Sequence, residues 1–167
     1  MKPIYLQVTA AIAAGLGLSA SAACAQQPAT QPPQQTAAPD DMSWNDAPQT
    51  KGDWVYRTAG SESFAEFHSP TREMLFQMNC TADRQIFIAA ASSTLAEGAI
   101  TIRTETQART LSAAAREGWR VAVLRPSDPL LDAMAITKGR FAVEMAGQPS
   151  LYLPAWAEVT RVIEDCR

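Results

Sequence analysis

The chain has 167 residues, 47% of them apolar, with 14 Lys and Arg against 17 Asp and Glu and a formal net charge of −3. From residue 51 onward there are 13 basic and 14 acidic side chains and no basic run. Phosphate recognition needs a concentrated positive surface, so this balance argues against nucleic acid and against electrostatic docking on an anionic membrane.

The first 25 residues have the layout of a secretory signal. Lys2 supplies the positive end, Val8 to Ala23 is uncharged and rich in Ala, Leu and Gly, and Ala23-Cys24-Ala25 is an A-x-A site. Cleavage between Ala25 and Gln26 is the expectation. The apolar run is short for a membrane span, which takes about 20 apolar residues, and no second span follows, so no transmembrane helix is expected in the mature chain. An alternative uses Cys24 differently. Ser21-Ala22-Ala23-Cys24 resembles a bacterial lipoprotein signal, with Ser21 where a large aliphatic residue is usual. In that case Cys24 carries a lipid and anchors the protein to the envelope.

Residues 26–50 hold Pro28, Pro32, Pro33, Pro39, Pro48 and six glutamines. Such a composition buries too little apolar surface to offset its ordering entropy, and reads as a disordered Pro/Gln-rich spacer. Large apolar side chains are few there, and Trp44 is the exception, either docked on the domain or exposed.

Residues 51–167 read as one domain with one core. Trp54-Val55-Tyr56 opens it, and Ser63–Phe67 forms a second short strand. Met74, Phe76, Met78 and Cys80 alternate with Glu73, Leu75, Gln77 and Asn79, the period of a half-buried strand. Arg84–Ala90 is apolar on both faces, as in a central strand. Ile100 and Ile102 alternate with Thr101 and Arg103. Thr110–Ala114 reads as their hairpin partner, although Ala113-Ala114-Ala115 also suits a helix. Trp119, Val121 and Val123 alternate with Arg120 and Ala122. Phe141, Val143 and Met145 follow in the same way, and a turn leads into Leu151-Tyr152-Leu153.

Two segments break this rhythm. Asp128 can cap a helix that starts at Pro129, giving a short helix near 128–137. Pro154 opens a C-terminal helix near 155–166, with Trp156, Val159, Ile163 and Cys166 on one face and Glu158, Arg161 and Asp165 on the other. The predicted fold is mainly β, an antiparallel sandwich or partly open barrel of about eight strands.

Cys80 shares its strand face with Phe76 and Met78, and Cys166 shares its helix face with Val159 and Ile163. Two thiols aimed at one core in an oxidising compartment predict a Cys80–Cys166 disulfide. His68, the single histidine, reads as an exposed loop residue. No nucleophile elbow, phosphate-binding glycine loop or metal-ligand spacing accompanies it. Asp128 and Asp132, and Glu164 and Asp165, are the carboxylate pairs to weigh for glycoside chemistry. No cofactor is expected.

The last forty residues carry a resemblance. Asp128-Pro129-Leu130-Leu131-Asp132-Ala133, Gly139-Arg140-Phe141-Ala142-Val143, Leu153-Pro154 and Arg161-Val162-Ile163-Glu164-Asp165-Cys166-Arg167 resemble a group of short exported bacterial proteins. The order of elements is also similar to the invasion-associated locus B family of periplasmic β-sandwich proteins. The chain departs from that family at Trp54-Val55-Tyr56-Arg57, which lacks its cysteine. Neither resemblance brings catalytic residues.

The expectation is therefore a non-enzymatic, monomeric, periplasmic or envelope-associated protein that binds an envelope protein or a small ligand. Trp44, Phe64 and Tyr152 are its candidate surface aromatics. A carboxylate-based envelope hydrolase and a carrier of small apolar ligands are the alternatives.

Overall fold

The computed structural model describes residues 43–93 and 97–167. The predicted signal, with Cys24, Ala25 and Gln26, and residues 26–42 of the spacer lie outside the described residues.

The described residues form nine strands, most with alternating apolar and polar side chains and β4 apolar throughout: β1 Asp53–Ala59, β2 Glu62–His68, β3 Met74–Cys80, β4 Ile86–Ala91, β5 Gly98–Arg103, β6 Ala108–Arg116, β7 Trp119–Leu124, β8 Arg140–Glu144 and β9 Leu151–Pro154. All neighbours are antiparallel, in the order β1-β2-β3-β4-β7-β6-β5-β8-β9. The pivot is β6. Its residues 108–113 pair with β5, and 114–116 pair with β7. One strand thus belongs to both halves and bends the sheet, which makes it a curled, partly open barrel. The ambiguous Ala113-Ala114-Ala115 is strand, because pairing on both sides overrides alanine's preference for helix.

The two end strands approach each other. Thr50 N donates to Tyr152 O at 3.0 Å, Tyr152 N donates to Thr50 Oγ1 at 2.8 Å, and Trp54 Nε1 donates to Pro154 O at 2.8 Å. Before β1, the short helix α1 (Ser43–Asp46) packs against β8. The Arg140 guanidinium donates to Ala47 O. Residues 43–50, expected in the spacer, therefore carry secondary structure and bonds to the sheet.

The concave face is filled with side chains. Trp54, Phe67, Phe76 and Phe141 form an edge-to-face series with centroids 5.3–6.0 Å apart, reaching from β1 through β3 to β8. Helix α2 (Pro129–Ile136) inserts Leu130, Leu131 and Met134. It starts as predicted, with Asp128 Oδ1 accepting from Leu130 N at 2.9 Å. Helix α3 (Ala157–Asp165) lies against β1, β2 and β3 and buries Val159, Val162 and Ile163. Trp156 departs from expectation. It is the N-cap residue, its side chain makes no capping bond, and the residue is 44% exposed.

Cys80 and Cys166 are bonded, with Cα atoms 5.4 Å apart and both residues buried. Around this bond, Tyr56 ties α3 to β1. Its hydroxyl donates to Asp165 Oδ2 at 2.7 Å, and the Arg161 guanidinium sits 4.2 Å over its ring. The acceptor Asp165 raises the Tyr56 pKa above its ordinary value, with desolvation adding to the effect.

Candidate functional site

Because strand side chains alternate, the inward set fixes what points outward. On β3, Phe76, Met78 and Cys80 are buried, so Gln77 and Asn79 face out. On β4, Ile86, Ile88 and Ala90 are buried, and Phe87 and Ala89 take the outer face. On β7, Arg120, Ala122 and Leu124 are the buried set, and Trp119, Val121 and Val123 face out.

The register places these outer residues in rows. Gln77, Ala89 and Val121 are cross-strand neighbours, as are Asn79, Phe87 and Val123. Trp119 pairs with Arg116 across the β6–β7 turn. The rows enclose a trough of about 280 Å³ on the outer face, whose lining includes Met74, Phe87, Ala89, Trp119 and Val121. Its polar members are Gln77, Asn79 and Arg116. Asn79 Nδ2 is engaged by Ser63 O and Cys80 O, each at 3.2 Å. Among the described residues, no hydrogen bond or ion pair engages the Gln77 amide, the Trp119 Nε1–H or the Arg116 guanidinium.

A polar cluster borders this face on β2. Glu66 is the cross-strand neighbour of Gln77 and is buried. Arg57 approaches it at 2.6 Å and 2.7 Å, and His68 Nε2 lies 3.2 Å from Glu66 Oε2. The Arg57 guanidinium covers the Phe64 ring at 3.7 Å. His68 is thus the last residue of β2 and a partly buried partner of Glu66, not an exposed loop residue. The strand extends one residue beyond its predicted end at Phe67, and the alternation puts positions 66 and 68 on one face.

Of the three predicted surface aromatics, Trp44 is buried, 6% exposed, in α1. It belongs to the packing rather than to an exposed surface. Phe64 is half-buried under Arg57, and Tyr152 is half-buried on β9 beside Thr50. The fold does not gather the three into one site. The trough's Phe87, Trp119, Val121 and Arg116 were absent from the predicted set. Residues 119–124 alone carry no signal for them, because which face of β7 is buried follows from its pairing with β4.

Asp128, Glu144 and Asp165 have separate partners, whereas Asp132 and Glu164 share Arg167. Asp128 receives two bonds from Arg109, both 2.7 Å, Glu144 takes Arg103 at 2.8 Å, and Asp132 takes Arg167 at 2.6 Å. The Arg109 bond holds the Asp128 carboxyl below its ordinary pKa, with desolvation opposing it. Among the described residues there is no group of three or more His, Cys, Asp and Glu placed to hold a metal. None of their helices is long and apolar enough to cross a membrane.

Compared with protein-family models, with curated proteins and with solved structures, the chain matches none.

Proposed function

We propose that this is an exported protein of the periplasm or envelope that works by binding, not by catalysis. The observation that carries the reading is the trough on the outer face of β3, β4 and β7. It combines a half-buried apolar floor with an unengaged amide, indole N–H and guanidinium. Binding sites have this make-up, apolar surface with a few convergent polar groups.

Compartment follows from a second line of reasoning. A signal-like N-terminus precedes a domain whose two remaining cysteines are joined, and such bonds persist in oxidising surroundings. The separate pairing of Asp128, Asp132 and Glu144 favours binding over carboxylate chemistry, which needs two carboxyl groups flanking one bond.

The test is capture from an envelope extract with mild crosslinking, using the intact protein and a Trp119→Ala, Val121→Ser variant. The wild type should retain a binder that the variant loses. Equal recovery by both, or none by either, overturns the reading.

A further inference from the structure

We infer that the trough takes a single-chain anionic amphiphile, an acyl chain ending in a carboxylate. This rests on the binding role proposed above and names its ligand class.

Three features define the shape and charge of the ligand. First, the apolar surface is a strip rather than a bowl. Trp119, Val121 and Val123 succeed one another on the outer face of β7, with Ala89 and Phe87 opposite the last two on β4. Four residue steps of strand cover about 13 Å, so the strip suits an extended chain lying along β7. Second, the strip continues beyond the trough to Val123, which is 52% exposed. Third, the cation sits at one end. Arg116 is paired with Trp119 at the start of β7, whereas Val123 lies near the strand's other end.

Charge complementarity then selects the head group. Arg116 is the one charged residue lining the trough, and no ion pair among the described residues engages it. Glu73 and Glu117 lie close in sequence, at the start of β3 and in the β6–β7 turn, but neither lines the trough. A carboxylate at Arg116 gains a charge-assisted hydrogen bond, and Trp119 Nε1–H and the Gln77 amide offer further donors. A cationic head would meet the guanidinium instead. The near-neutral charge of the domain is compatible with this, since one amphiphile needs one cation and not a basic surface.

Titration of the disulfide-bonded protein, observed by amide chemical shifts, tests the inference with three probes below their micellar range. Sodium decanoate should bind saturably, with shifts concentrated in β3, β4 and β7. Hexanoate should bind at least about tenfold more weakly, because fewer methylenes are buried. Decyltrimethylammonium, with the same tail, should bind at least about fivefold more weakly than decanoate. Arg116→Gln should remove that preference for the anion while leaving the melting temperature unchanged. Val123→Lys should weaken decanoate by obstructing the tail, again without loss of stability. Equal affinity for the anion and the cation, shifts scattered over other strands, or no saturation would overturn the inference. So would a crosslinked partner that decanoate fails to displace, and that result leaves the binding role itself standing.

Discussion

Asp128 does two jobs with one carboxylate. It caps α2 through Leu130 N and pairs with Arg109 through both oxygens. Asp128→Ala should cost about 1–2 kcal/mol by loss of the cap alone. Asp128→Asn keeps an acceptor for Leu130 and loses mainly the charge. The pH dependence follows from the lowered pKa of this group. Its stabilisation is present above the unfolded value of about 3.9 and is lost as pH falls through the folded value. Melting curves of the wild type and Asp128→Asn should therefore differ at neutral pH and converge in acid. A gap of constant size down to strong acid would mean that Arg109 contributes nothing through charge. Tyr56 works at the other end of the scale, since its pKa is raised. Its contribution is intact below the unfolded value of about 10 and fades as pH rises through the folded one. Gly52 is constrained by its backbone conformation and by close neighbours. Its φ is +146°, and a Cβ there would run into the His68 carbonyl. The same Cβ would crowd the Phe67 ring, so Gly52→Ala should cost more than about 1 kcal/mol, measurable by urea unfolding.

At the scale of elements, β7 shows what alternation conveys and what it withholds. Period two at 119–124 marks a strand, and a strand is present. The pattern also offers Trp119, Val121 and Val123 as the obvious buried face, yet the fold buries Arg120, Ala122 and Leu124. Register decides this. β7 pairs Ala122 with Ile88 of β4, so it must present to the core the parity that β4 presents. No local property of residues 119–124 contains that information, which is why the trough was not legible while the helix start at Asp128 and the disulfide were. Those two depend on local capping and on two faces defined within their own elements. For Trp44 the sequence left docked and exposed both open, for the reason that applies to β7: its burial comes from docking on β8, distant in sequence. The face assignment has a direct check. Val123→Lys should change stability by less than about 0.5 kcal/mol, whereas Leu124→Ala, one residue on, should cost about 2–5 kcal/mol. Equal losses would mean that β7 is turned over.

Across the whole molecule, chain connectivity and covalent closure work on the same region. The curled sheet brings β1 beside β9 through Thr50, Trp54, Tyr152 and Pro154. Helix α3 follows β9 directly and lies on β1, β2 and β3. The last element thus spans the junction between the two ends of the sheet, and Cys80–Cys166 fixes it there by closing a loop of 86 residues. In the chain-entropy account, a loop of that length is worth about 4.5 kcal/mol, a large part of the 5–15 kcal/mol typical of a domain. Reduction should therefore lower the melting temperature by many degrees, and amide exchange should rise first in α3 and in the β1–β9 contacts. The β5–β6 hairpin, held by its own ladder, should stay protected until global unfolding. Uniform loss of protection would show that α3 is part of one cooperative core and that the bond constrains only the unfolded chain. An unchanged melting temperature would show that Val159, Val162, Ile163 and the Tyr56 clamp hold the helix without it. The selective outcome is expected, because α3 has nine residues, and a helix that short is marginal in water without tertiary support.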